Sequence, residues 1–278
     1  MKHQLTSEQI QHYQDNGFIV IENFLSPEEL ENWRKAVTTA VKERAGIKIP
    51  GKEIKTGEAD GINEDADYFA RVFDQLLNLW QTNAQVKELM LDNRIGKMAA
   101  QLAGVDGIRI WHDQALIKRP WANPTAWHLD TPFWSFSDRR AISIWVALDD
   151  ATLENGCLFF IPGSHKQTAF DQITIGRNMD GIFEVYPQLA NIAPVSAPMK
   201  AGSCSFHNGL TVHGANPNMT IGFRRAMTCS YMPDGSVFNG KANILPEPYL
   251  NSLQIGDSLN NGYQNPLIYH VSPMMKTG

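Results

Sequence analysis

The amino-acid sequence predicts a mainly β protein with flanking helices, whose core is a double-stranded β-helix, or jelly roll. Two observations carry the prediction. About eight short apolar or alternating segments, punctuated by Gly, Pro, Asn and Asp, crowd into residues 105–232, the pattern of mostly antiparallel strands. The segments with helical spacing lie ahead of them, in residues 1–104, which gathers the helices on one flank. A closed barrel and a two-sheet jelly roll both fit this arrangement. Residues 233–278 are Pro- and Asn-rich and read as an irregular tail, and the whole of 1–278 reads as one domain.

Taken in order, residues 7–15 carry a short polar helix and 17–21 a β-branched strand. Ser26, Pro27 and Glu29 mark a helix start: Ser26 is the N-cap, Pro27 the first helical residue, and Glu29 closes a capping box. That helix runs to about residue 44, with Leu30, Trp33, Val37 and Val41 on its apolar face. Residues 45–67 are rich in Gly and charge without periodicity and read as a mobile surface loop, with a plain insertion the commoner explanation and a lid the alternative. Helical spacing then groups Phe69, Val72, Leu76 and Leu77, followed by Val86, Leu89 and Met90, and by Ile95, Met98, Ala99 and Leu102. Beyond Gly104, strands are expected at 108–117, around His128, at 141–148, 157–161, 202–206 and 223–232. A long irregular segment fills 166–199, and the Asn208-Gly209 turn signal puts His207 and His213 on either side of a hairpin-like bend.

Composition narrows the function. With 43% hydrophobic and 19% charged residues among 278, the chain can build one substantial core. A net charge of −5 and the lack of a basic cluster argue against nucleic acid as a partner. No apolar run approaches the roughly 20 residues of a membrane span. Cys157, Cys204 and Cys229 form no C-x-x-C pair and the opening residues carry no signal-like apolar run, so a cytoplasmic location is expected. A small molecule is the partner class that remains, and no oligomeric state can be read from the sequence.

The chemistry gathers around Trp127-His128-Leu129-Asp130. Alternate side chains share a face of an extended strand, so His128 and Asp130 are expected to point the same way and to hold one cation together. His213, 85 positions later, supplies the second imidazole of a two-histidine, one-carboxylate set, which covers one face of an iron ion and leaves the other open. Eleven positions further, Arg224 offers a fork-shaped cation for a carboxylate; its neighbour Arg225 must face the other way, and parity alone does not choose between them. His207 is the rival to His213 and ranks below it, because the spacing to the arginine does not match. His165 reads as a turn histidine, and His112 beside Asp113 is no ligand pair because adjacent strand residues face opposite ways. Phe133 and Trp134 could wall a pocket.

Together with Ile144-Trp145-Val146-Ala147-Leu148-Asp149, Glu154-Asn155-Gly156-Cys157-Leu158, Ile161-Pro162-Gly163-Ser164-His165 and Gly222-Phe223-Arg224, these motifs resemble the phytanoyl-CoA dioxygenase (PhyH) family of iron(II)/2-oxoglutarate oxygenases, over about residues 5–233. The resemblance implies a cupin-like jelly roll and the catalytic metal ligands His128, Asp130 and His213. It selects Arg224 as the 2-oxoglutarate partner, with Trp145 lining the co-substrate and Gln114 flanking it. Cofactors would be Fe(2+), 2-oxoglutarate and O2, and the reaction a hydroxylation of an unactivated C–H bond of a small organic molecule with release of succinate and CO2. The retained carboxylate of Asp130 favours hydroxylation over halogenation. Ala215 stands where relatives often place a small hydroxyl residue. The competing readings are an inactive jelly-roll binding protein and a cupin-type metal enzyme that does not use 2-oxoglutarate; neither gives all of His128, Asp130, His213 and Arg224 a purpose.

Overall fold

The computed structural model describes residues 1–44, 64–173 and 175–271. The helices are α1 (Ser7–Asn16), α2 (Pro27–Arg44), α3 (Glu64–Ala70), α4 (Ala84–Met90), α5 (Asn93–Ala103), α6 (Gly181–Val185) and α7 (Glu247–Leu250). The strands are β1 (Phe18–Ile21), β2 (Asp74–Leu77), β3 (Gly107–Lys118), β4 (Thr125–His128), β5 (Ile142–Ala147), β6 (Leu158–Phe160), β7 (Val195–Ala197), β8 (Cys204–Asn208), β9 (His213–Ala215), β10 (Arg224–Pro233) and β11 (Leu267–His270). They form two antiparallel sheets. One runs β1-β8-β5-β10-β3-β11 with β2 also on β3, and the other runs β4-β9-β6-β7. Among the described residues this is a pair of open sheets, so of the two expected architectures the jelly roll is present and the closed barrel is not.

Local signals explain the flank. Thr6 and Gln9 close a capping box on α1, and Gly17 ends it at φ 81°, a conformation that costs a residue with a Cβ and costs glycine nothing. The Ser26 hydroxyl accepts from the Glu29 amide and the Glu29 carboxylate from the Ser26 amide, the capping box expected for α2. Trp33, Ala36, Val37 and Ala40 of α2, with α4 and α5, bury against the outer face of the large sheet through Ile144, Val146, Met227, Cys229 and Tyr231. Fully burying each large apolar side chain contributes about 1.5–3 kcal/mol. The large sheet is therefore clad on its outer face, and its inner face is left to line a cavity.

Several expectations change. Leu76 and Leu77 lie in β2, not in a helix: their spacing fits either period over so short a run, and the free edge of β3 at Gln114–Ile117 offers backbone partners. Residues 45–63 of the expected surface loop lie outside the described residues, and the following Glu64–Ala70 is α3. The segment 166–199 contains α6 and β7. The tail is not wholly irregular, because β11 pairs with β3 and Phe238, Leu245 and Leu259 are buried against Trp111, Trp134 and Phe136. The Asn208-Gly209 bend is not a hairpin: β8 before it belongs to the large sheet and β9 after it to the small one, so the chain crosses between layers there.

Candidate active site

The small sheet brings the two predicted histidines together. β4 and β9 pair with His128 opposite His213. Gly214 makes this approach feasible, since a Cβ there would sit 2.8 Å from the Thr125 carbonyl oxygen. Each imidazole is oriented by the carbonyl two residues before it, His128 Nδ1 to Ala126 at 2.8 Å and His213 Nδ1 to Thr211 at 2.9 Å. A carbonyl only accepts, so Nδ1 carries the proton and Nε2 presents its lone pair to the cavity.

Asp130 joins them by a different route from the one expected. β4 ends at His128, and Asp130 has helical φ and ψ at the start of a short 3-10 turn over Thr131–Phe133. The turn is held because the amides of Asp130 and Thr131 both donate to the Gly209 carbonyl, so the backbone bends and strand alternation does not apply. The carboxylate still converges: Oδ1 lies 3.6 Å from His128 Nε2 and 3.7 Å from His213 Nε2. One ligand atom from each of the three residues falls within 4.8 Å of the others, a spacing that can hold a metal ion. Burial opposes ionisation of Asp130 more than any other single influence, but His213, His128 and His207 together outweigh it and hold the carboxyl well below its usual range. Burial, and then the nearness of His128, push the His213 imidazole well below its usual range, so it is neutral and able to ligate.

The large sheet supplies the rest through register. Facing partners run His207, Ser143, Ser230 and His112 across β8, β5, β10 and β3 in one row. The neighbouring row on the same face runs Ser205, Trp145, Thr228 and Gln114. Arg224 has the same parity as Thr228 and Ser230, which aims it inward, while Arg225 faces out and pairs with Asp149 at 2.7 Å. His207 Nε2 donates to Asp130 Oδ2 at 3.2 Å, and the Ser143 hydroxyl lies 3.4 Å from the same oxygen. One carboxylate oxygen thus faces the two predicted ligands and the other is held by the sheet. His207, which sequence order ranks only as a rival ligand, is a neighbour of the carboxylate.

Arg224 is 2% exposed, and neither Nε nor Nη1 has a hydrogen-bond partner. Its guanidinium carbon sits 5.2 Å from the centre of the Trp145 ring, whose Nε1 is also unpartnered. Burial draws the Arg224 pKa down to about 10. Lys118, its register partner on β3, is wholly buried and donates to the carbonyls of Asn123 at 2.6 Å and Val72 at 3.3 Å. Burial, with Arg224 nearby, lowers its pKa to about 7. The Lys118-Arg119-Pro120 stretch reads as a turn in the sequence, and nothing in it signals a buried amine.

His128, Asp130, His213, Arg224, Trp145, Gln114, Phe133, Trp134 and Ala215 all line one cavity of about 750 Å³ between the two sheets. Gln114 accepts from Gln75 on β2. His165 stays outside and bonds the Gln14 carbonyl, and the Asp113 carboxylate accepts from the amides of Leu79 and Trp80.

The phytanoyl-CoA dioxygenase (PhyH) family model matches residues 13–226. The chain belongs to this family. Phytanoyl-CoA dioxygenase domain-containing protein 1 of Bos taurus is 26% identical over 284 residues, covering 88% of this chain and 97% of the relative. Among solved structures, SnoK, the non-heme α-ketoglutarate-dependent carbocyclase of nogalamycin biosynthesis, is 26% identical with a TM-score of 0.74, covering 95% of this chain and 96% of that one. The epimerase SnoN in complex with Fe3+, α-ketoglutarate and nogalamycin RO is 25% identical, also with a TM-score of 0.74, over 94% of this chain and 97% of that one. In the described residues no helix is long and apolar enough to cross a membrane.

Proposed function

We propose that this member of the iron- and 2-oxoglutarate-dependent oxygenases hydroxylates an unactivated C–H bond of a small organic molecule. The observation that carries the reading is the coexistence, in one cavity, of the His128-Asp130-His213 cluster and a buried arginine with unpartnered donors. The three side chains suit iron(II), with two neutral imidazole nitrogens and one carboxylate on one face. Arg224 suits the far carboxylate of 2-oxoglutarate, because it is a buried guanidinium whose Nε and Nη1 donors have no partner in the protein. Held there, iron(II) with 2-oxoglutarate would supply the chemistry of O2 activation, the 2-oxoglutarate being converted to succinate and CO2.

The protein's own groups do little proton transfer in this scheme. Ala126 and Thr211 fix the histidine tautomers, Arg224 on Trp145 anchors the co-substrate, and Gln114 with Gln75 closes its flank. The mostly apolar walls around Phe133, Trp134 and Leu158 keep bulk water from the reacting face. With the Asp130 carboxylate retained, the three residues would hold the metal without leaving a place for a halide, which favours hydroxyl transfer. The three free, buried cysteines suit the reducing, cytoplasmic location proposed for the chain.

Anaerobic titration with iron(II) and then 2-oxoglutarate tests the reading. A visible metal-to-ligand charge-transfer band that needs both additions is expected, followed by succinate release on admitting O2. Absence of the band in protein that has taken up iron would sink it.

A further inference from the structure

The cavity has a second end, away from Arg224. There Trp134 packs with Phe133 and Ile244 in an apolar wall. Two polar groups interrupt that wall without partners. Asn243 holds a left-handed backbone at φ 40°, and its Oδ1 is buried with no hydrogen bond. His112 is 3% exposed, packs edge-on to Trp134 with ring centres 5.8 Å apart, and leaves Nδ1 unpartnered. A strained, non-glycine residue with an orphaned buried acceptor is a costly arrangement unless something meets it. The charges among the described residues of the cavity are Asp130 and Arg224, and the proposed function commits both.

We propose that this end is the substrate subsite, and that it takes an uncharged, largely hydrocarbon molecule carrying a hydroxyl group, which donates to Asn243 Oδ1. The aromatic side chains cover the hydrocarbon, and the row His112, Ser230, Ser143 and His207 leads from the subsite to Asp130, which sets the substrate's body beside the metal cluster. An anionic or cationic substrate would enter a wall with no opposite charge and lose its hydration without replacement. The inference rests on the oxygenase reading for what happens to the substrate, but not for whether it binds.

A matched set of probes tests it: adamantan-1-ol, adamantane-1-carboxylate and the ammonium form of 1-aminoadamantane share one cage and differ in charge. Calorimetry on the intact protein near neutral pH should show the alcohol binding at least about tenfold tighter than either ion. Asn243→Asp should turn the preference towards the ammonium. Asn243→Gly, which accepts the same backbone and removes the carboxamide, should weaken the alcohol by about tenfold. Equal binding of the three, an ion favoured by the unaltered protein, no heat from any of them, or an unchanged alcohol affinity in Asn243→Gly would each overturn the proposal. The iron and 2-oxoglutarate band recorded on the same preparations separates the two ideas: a normal band with no preference for the alcohol rejects the subsite and leaves the oxygenase standing, whereas alcohol binding without the band does the reverse.

Discussion

The two ends of the proposed metal and co-substrate site solve the burial of charge in opposite ways. Asp130 is an anion already surrounded by its partners: His128 and His213 on one oxygen, His207 and Ser143 on the other. Arg224 is a cation buried to 2% exposure with two donors unmet, and its register partner is a second buried basic group, Lys118. The first end is assembled by the fold. The second is left with unmet donors, which the proposed anionic ligand would satisfy.

Removing the centre of the assembled end should have the largest effect. Asp130→Ala should lower iron(II) affinity by more than about 100-fold, beyond the 10–100-fold typical of a change outside the ligand shell, as read by metal titration. Affinity that stayed within tenfold would remove Asp130 from the ligand set. At the incomplete end, Arg224→Gln should weaken 2-oxoglutarate roughly 10- to 150-fold, the loss of about 1.5–3 kcal/mol in charged hydrogen bonds. The same variant without ligand should melt higher than the unaltered protein, because it no longer buries an unpaired charge; a lower melting temperature would contradict the contrast between the ends.

His207 sharpens the comparison from the side. His207→Phe keeps the ring and drops the donor to Asp130, and should weaken iron by about 10- to 100-fold while 2-oxoglutarate affinity, measured at saturating metal, hardly moves. His207→Gln, which can still donate, should recover much of the loss. If both variants weaken 2-oxoglutarate as strongly as iron, His207 does not act through Asp130.

A pH dependence from Lys118 tests the incomplete end in another way. Its folded pKa of about 7 lies below the usual 10.5, so between those values the unfolded chain binds the extra proton and stability rises with pH. Below about 7 both states carry the proton and the cost of burial is present in full. Lys118→Met should flatten that rise in thermal melts taken across the window, and an identical slope in both proteins would show that Lys118 stays charged when buried.

Much of this protein is local, and that part was legible in the residues. The Ser26 capping box, the amphipathic helices and the alternating strands follow from short-range periodicity, and His128, Asp130, His213 and Arg224 stand out because their order and spacing suit one chemistry. The reasons they meet are not local. Asp130 reaches the histidines from a turn fixed by the Gly209 carbonyl, not by strand alternation, and Leu76 and Leu77 became a strand because β3 had an open edge. His207 acquired its place beside Asp130, and Lys118 its place beside Arg224, only through register across β8-β5 and β10-β3. Sequence by itself determined which residues could perform the chemistry, because residue type and periodicity are properties of short stretches. Tertiary structure decided which of them share a face, which charges are met and which are left open, because strand register and layer crossing depend on partners far along the chain.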